Sequence, residues 1–336
     1  MSSKLSDYDY PLPEALIAKR PLPKRDESRM MVLHRDSKTI EHRQFRGLKT
    51  FLREGDLLVL NNTRVLAARR FSDDHAVEFL FLEKLGPARW KCLVKPGRKI
   101  RIGATSKIDN VPLRVEEILP EGERIVALAE DVDLYARGSM PLPPYIGRES
   151  DLADNERYQT VFAQTPGALA SPTAGLHFTP EILSEIPHVF ITLHVGTGTF
   201  RPVQSENISE HRMHPERFSI SAEAAENINN ARRIIGVGTT TVRALESAAR
   251  KTRLLKAVKF SSDEIAEQVS ETDIFIYPPF EFRLVDALLT NFHLPRSTLL
   301  MLVSAFAGRE FLLRAYDEAI CEGYRFYSYG DCMLIL

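Results

Sequence analysis

The chain has 336 residues, 44% hydrophobic and 26% charged, with a formal net charge of −1. That is enough chain for two domains or one large one, and it excludes the low-hydropathy composition of disordered proteins. It also excludes a polycationic surface, so any nucleic-acid contact has to come from a local patch. Met1 to Tyr10 is polar and acidic with no apolar h-region, so no secretory signal is expected. Arg29 to Asp36 and Lys38 to Phe45 read as a hairpin, Phe45 to Arg53 as a short helix closed by Gly55, and Leu57 to Leu60 as a buried strand.

From about Ala68 to Tyr145 the texture changes to short strands separated by turn signals. Val77 to Leu82, Trp90 to Val94, Val111 to Ile118 and Arg124 to Leu128 are the runs, with Lys95-Pro96-Gly97 and Pro120-Glu121-Gly122 among the turns. That spacing predicts a small β-barrel or sandwich. Pro141-Leu142-Pro143-Pro144 leads out of it as an extended segment. Helix and strand then alternate. Ser221 caps a helix through Arg232, Ile234 to Val237 is a strand, Thr240 to Arg250 a helix, and Thr272 to Tyr277 and Leu284 to His293 are strands. Ser297 caps a helix through Phe306, Gly308 breaks it, and a second helix runs to Cys321. The fold class is α/β, a discontinuous large α/β domain (1–67 and 149–336) with an inserted small β-barrel domain (68–148). The longest apolar run, Leu299 to Ala307, is far short of the roughly 20 residues a bilayer requires, so no membrane partner is expected. Cys92, Cys321 and Cys332 form neither CxxC pairs nor a disulfide framework, which fits a reducing cytoplasm.

Chemistry concentrates between Ala170 and His214. Ser171-Pro172-Thr173-Ala174-Gly175-Leu176-His177, Leu193-His194-Val195-Gly196-Thr197-Gly198-Thr199 and Glu210-His211-Arg212-Met213-His214 each set a histidine in or beside a turn rich in small and hydroxyl residues. Glycine permits close backbone approach and imidazole titrates nearest neutral pH, so loop-borne sites are expected, against the alternative of satisfied core histidines. Gly236-Val237-Gly238-Thr239-Thr240-Thr241-Val242-Arg243 is strand, turn, helix, and its helix start can hold an anion, with Arg243 beside it. It lacks the third glycine and the acidic residue of a dinucleotide fingerprint. Glu246 stands at i+3 from Arg243, where an intrahelical ion pair and a catalytic carboxylate are both open. His211 and His214 could share a helical face, but no partner ligands accompany them and no metal is expected. Asn291-Phe292-His293 closes a strand with an amide and an imidazole, and Asn61-Asn62-Thr63-Arg64 follows another. Lys95, Arg98, Lys99 and Arg101 form one basic cluster and Lys19, Arg20, Lys24, Arg25 and Arg29 another, either a solvated face or a phosphate track with Phe178, Phe200 and Phe292 to stack on bases.

Taken in order, these motifs resemble the S-adenosylmethionine:tRNA ribosyltransferase-isomerases of queuosine biosynthesis. The resemblance rests on Lys24-Arg25-Asp26, Gly55 to Val65, Met140 to Ile146, Pro172 to Thr179, Gly196 to Pro202, Glu210 to His214, Gly238-Thr239-Thr240, Thr272 to Pro278, Thr290 to Leu302, Ala307 to Glu310 and Tyr329-Gly330-Asp331. It is weakest between Phe71 and Arg137, and it departs from the family at Pro279 and across His214 to Phe218. It implies a large α/β domain with an inserted barrel. The implied reaction transfers and isomerises the ribosyl group of S-adenosylmethionine onto 7-aminomethyl-7-deazaguanine at the tRNA wobble position, giving epoxyqueuosine, adenine and methionine.

A sulfonium acidifies the neighbouring 5′ carbon, so the resemblance implies a base, His177 or His194, and donors at Gly196, Gly198, Thr199 and His214. S-adenosylmethionine would be consumed as ribosyl donor, held by Thr173, Gly175, Gly196, Gly198, Thr199, Gly238, Thr239, Thr240 and Arg243, without a metal. The tRNA would meet Asn61, Arg64, Lys95, Arg98, Lys99 and Arg101 of a cytoplasmic monomer. A methyltransferase using the same donor and a non-catalytic RNA binder are the alternatives, and adenine release separates all three.

Overall fold

A computed structural model describes residues 3–196, 203, 205–251 and 270–336. The strands are β1 (Arg29–His34), β2 (Thr39–Gln44), β3 (Asp56–Asn61), β4 (Thr63–Val65), β5 (Arg69–Phe71), β6 (Glu78–Gly86), β7 (Arg89–Lys95), β8 (Thr105–Ile108), β9 (Val111–Ile118), β10 (Arg124–Leu128), β11 (Thr165–Ala168), β12 (His188–Leu193), β13 (Glu216–Ser219), β14 (Arg233–Val237), β15 (Ser270–Thr272), β16 (Ala287–Asn291) and β17 (Cys332–Ile335). The helices are α1 (Asp154–Arg157), α2 (Pro180–Ser184), α3 (Ala222–Asn230), α4 (Thr239–Lys251), α5 (Thr298–Ala307) and α6 (Arg309–Cys321). The chain divides into two compact units, one of residues 1–64, 143–148 and 159–336, the other of 65–142 and 149–158.

The larger unit is built on a nine-stranded sheet in the order β15-β13-β12-β3-β14-β16-β17-β1-β2. Strands β12, β3, β14 and β16 run parallel, and β17 returns antiparallel beside β16. The central strands read as continuous apolar runs because both faces are covered: every residue of β3 and of β16 is buried. At the rim, β2 carries Glu41 and Arg43 and is only half covered, which blunts an open edge. Leu58, Leu60, Ile235, Val237 and Leu289 share a core with Phe45 and Phe178. Local chemistry starts the helices. The Ser221 and Ser297 hydroxyls accept the amides of Ala224 and Leu300, capping α3 and α5.

The smaller unit contains a six-stranded antiparallel sheet, β5-β6-β7-β10-β9-β8, around a core of Phe79, Phe81, Trp90 and Val126. The molecule is therefore mixed α/β with a second, all-antiparallel sheet. The Thr272 to Tyr277 stretch is not a strand beyond Thr272, because the carbonyls of Thr272 and Ile274 accept from the Arg243 guanidinium. The strand expected from Leu284 begins only at Ala287, since the amides of Arg283, Leu284 and Val285 donate to the buried Glu246 carboxylate at 2.9 to 3.1 Å. Phe45–Phe51 is a 3-10 segment rather than an α-helix. His211 and His214 do not share a helical face, because the helical turn there ends at Glu210.

Candidate active site

Parallel strands gather their carboxyl ends at one edge, and in open α/β sheets that edge is where ligands bind. Here β14 and β16 deliver Gly238 and Asn291 to a pocket with about 670 Å3 of empty space, the open solvent at its mouth included. Gly238 has φ +90°, which lets the chain turn straight from β14 into α4. The first amides of α4 have no intrahelical acceptor, so they carry the positive end of the helix dipole to the pocket wall. Thr239 and Thr240 are buried there, 5% and 7% exposed, and their hydroxyls have no partner among the described residues. The Ser171 hydroxyl, also on the wall, is buried without a partner among the described residues. Tyr145 bonds to the Ser328 hydroxyl and packs its ring 4.7 Å from that of Tyr327. Among the described residues, no carboxylate, lysine or arginine side chain lines the cavity.

Below the pocket floor, His177 ties the layers together. Its Nδ1 lies 2.8 Å from the Ser28 hydroxyl and its Nε2 3.2 Å from the Asn291 amide nitrogen. Asn291 in turn accepts from the Thr173 hydroxyl at 2.8 Å. Burial first, then the charges of Arg25 and Arg325, push the His177 pKa down to about 3. Both ring nitrogens are therefore engaged in a neutral, buried node. Gly175, in the same turn, is small for packing: a Cβ there would stand 2.8 Å from Phe162 and from Thr160.

Of the donor-site residues expected from sequence, Thr173, Gly238, Thr239 and Thr240 line the pocket, whereas His177, His194, His214, Gly175, Gly196 and Arg243 do not. His194 sits at the end of β12 with Nδ1 2.8 Å from the Thr63 hydroxyl, its pKa lowered by partial burial and then by Arg217. His214 is half-buried in the segment before β13. Arg243 is 2% exposed and paired with Glu216, whose other oxygen accepts the Gly196 amide at 3.1 Å. It holds the start of the glycine loop rather than facing the cavity, and it does not pair with Glu246, which binds Arg250 and the turn before β16. The amide of Asn61 is spent on the Leu193 backbone, while Arg64 is exposed.

On the smaller unit, Lys95, Arg98 and Arg101 are exposed and make no ion pair with a described residue. Lys19 and Lys24 of the other cluster pair with Glu14 and Glu27. Phe178 and Phe292 are fully buried and cannot stack on a base. Gly198, Thr199, Phe200 and the Lys99 side chain lie outside the described residues. The wall residues left unassigned in the sequence include Tyr145, Ser171, His293 and Tyr327. Tyr145 and Ser171 stand inside recognised motifs, His293 stands at a flagged strand end, and Tyr327 carries no local signal because a distant segment brings it in.

Among the described residues, no three His, Cys, Asp or Glu side chains gather as a metal site, and no helix is long and apolar enough to cross a membrane. Residues 5–335 match the family described as queuosine biosynthesis protein. The S-adenosylmethionine:tRNA ribosyltransferase-isomerase of Thermotoga petrophila is 48% identical over 351 residues, covering 99% of this chain and all of the relative. The protein of the same name from Carboxydothermus hydrogenoformans is 49% identical over 353 residues, again 99% of this chain and all of that one. A crystal structure of the S-adenosylmethionine tRNA ribosyltransferase from Thermotoga maritima is 40% identical and superposes with a TM-score of 0.55 over 98% of this chain and all of that chain. With the family match and these relatives each running nearly the full length of the chain, it belongs to the S-adenosylmethionine:tRNA ribosyltransferase-isomerase family of queuosine biosynthesis proteins.

Proposed function

We propose that this chain transfers and isomerises the ribosyl group of S-adenosylmethionine onto 7-aminomethyl-7-deazaguanine at the tRNA wobble position, releasing adenine and methionine, and that the pocket at the carboxyl ends of β14 and β16 holds the donor. One observation carries the placement: among the described residues the cavity has no charged wall residue and no partner for the hydroxyls of Thr239 and Thr240, yet it offers the start of α4 and, beside it, the paired rings of Tyr145 and Tyr327. The donor's aminoacyl carboxylate suits the helix start, and its sulfonium suits an aromatic face.

On this reading the smaller unit is an inserted barrel whose Lys95, Arg98 and Arg101 meet the tRNA backbone, and the protein works as a cytoplasmic monomer. The test has two parts. Incubation with S-adenosylmethionine and precursor tRNA is expected to release adenine and methionine, identified by mass, with no S-adenosylhomocysteine. Thr239→Val with Thr240→Val is expected to weaken donor binding by about 10- to 100-fold, the worth of one or two charge-assisted hydrogen bonds. Unchanged affinity in equilibrium dialysis would move the donor elsewhere.

A further inference from the structure

Among the described residues the pocket wall holds a single imidazole, His293, just past the end of β16. Its placement is fixed from several sides. The backbone N–H donates to the Tyr316 hydroxyl oxygen at 2.9 Å, and the carbonyl accepts from the Tyr10 hydroxyl. Nε2 stands 2.8 Å from the Thr290 hydroxyl, and Thr290 lines the same cavity. Nδ1 has no hydrogen-bond partner among the described residues. With its hydrogen on Nε2, the ring donates to Thr290 and leaves the Nδ1 lone pair free. Neither His177, with both nitrogens engaged, nor His194, outside the cavity wall, combines these properties.

We propose that His293 is the base that removes the proton from the 5′ carbon of the donor, with Thr290 as the positioning residue that fixes its ring. This rests on the pocket being the donor site. The 5′ C–H bond breaks and its proton goes to Nδ1. The electron pair forms the C4′–C5′ double bond as the bond from C4′ to the ring oxygen breaks, and that pair becomes the carbonyl at C1′. The bond from C1′ to adenine then breaks toward adenine, which takes up the proton carried by His293. One proton moves from carbon to adenine, and nothing is oxidised or reduced.

Burial keeps the free imidazole neutral, its pKa pushed down to about 3, so the lone pair is available at pH 7. The same burial disfavours an isolated imidazolium, but proton transfer from a sulfonium moves a positive charge within the pocket instead of creating one. The cost of holding a cation there is already met when the donor binds, and the Tyr145 and Tyr327 rings remain beside it.

The experiment compares the wild-type protein with His293→Ala, His293→Asn and Thr290→Val, reading donor affinity by equilibrium dialysis and adenine release at saturating donor and precursor tRNA. His293→Ala is expected to slow adenine release by about 10²- to 10⁴-fold while donor affinity stays within about threefold, and added imidazole should recover part of the rate. His293→Asn keeps a polar group of similar size and should be equally slow, which holds the test open if the alanine variant unfolds. Thr290→Val should lower kcat about tenfold with KM for the donor unchanged. Release within tenfold of wild type in both His293 variants, or a loss matched by lost affinity and not rescued by imidazole, overturns the assignment. The Thr239 and Thr240 variants separate the two ideas. If they lose donor affinity while the His293 variants keep their rate, the base is elsewhere and the pocket stands; if they keep affinity, the pocket itself is not the donor site.

Discussion

Ser28 on one side and Asn291 on the other leave His177 no lone pair to spare, and this makes it a stability residue with a pH signature. An unfolded histidine titrates near 6.5, whereas the folded ring is held down to about 3. Between those values the unfolded chain binds the extra proton and the folded one does not, so stability is fully present above about 6.5 and is lost as pH falls toward 3. His293 acts in the same direction. The urea midpoint should therefore fall between pH 7.5 and pH 5, and His177→Asn should reduce that fall while costing about 1–3 kcal/mol at pH 7.5. An unaltered pH dependence in the variant would mean that other groups govern acid sensitivity. The variant is also expected to retain donor affinity, since His177 does not reach the cavity.

Among the elements, the turn into β16 depends on one side chain. Glu246, fully buried on α4, accepts the amides of Arg283, Leu284 and Val285 and pairs with Arg250 at 2.7 Å. Glu246→Ala strands these donors in the interior and should cost about 3–5 kcal/mol in urea denaturation, against less than about 0.5 kcal/mol for the exposed Glu226→Ala. A loss near that of the control would show that water replaces the carboxylate. The same contacts explain what a sequence can and cannot disclose. The runs of β3, β14 and β16 are visible because continuous burial demands continuous apolarity, and α3 and α5 announce themselves through Ser221 and Ser297. The stretches misread as strand are those whose backbone was captured by Arg243 and Glu246, side chains tens of residues away. In the pocket, Gly238-Thr239-Thr240 is visible because turn and helix start are local chemistry, while Tyr145 and Tyr327 meet only in three dimensions. Gly167 shows the reverse case: its φ of +149° and the His194 ring, 2.6 Å from where a Cβ would stand, make it a packing requirement that sequence cannot tell from a ligand loop.

For the molecule as a whole, a net charge of −1 leaves polyanion binding to a few local cations. Arg98→Glu with Arg101→Glu should weaken tRNA binding and flatten the slope of log affinity against log salt by about 1 to 2 units, at about 0.7 to 0.9 per phosphate contact. Donor affinity should hold, because neither residue lines the pocket. A native slope in a salt titration would shift the contact to the cluster from Lys19 to Arg29. The sheet order carries a further consequence, one of timing. Strand β17 lies between β16 and β1, with Met30 beside Cys332. A ribosome adding about 5–20 residues per second therefore takes roughly 15 to 60 seconds between emitting the two partners. During that interval the β1–β2 hairpin waits with an open edge, and Tyr327 and Ser328 have yet to reach the cavity wall, so a nascent chain has an unfinished pocket and stays prone to mispairing until its synthesis has passed residue 335.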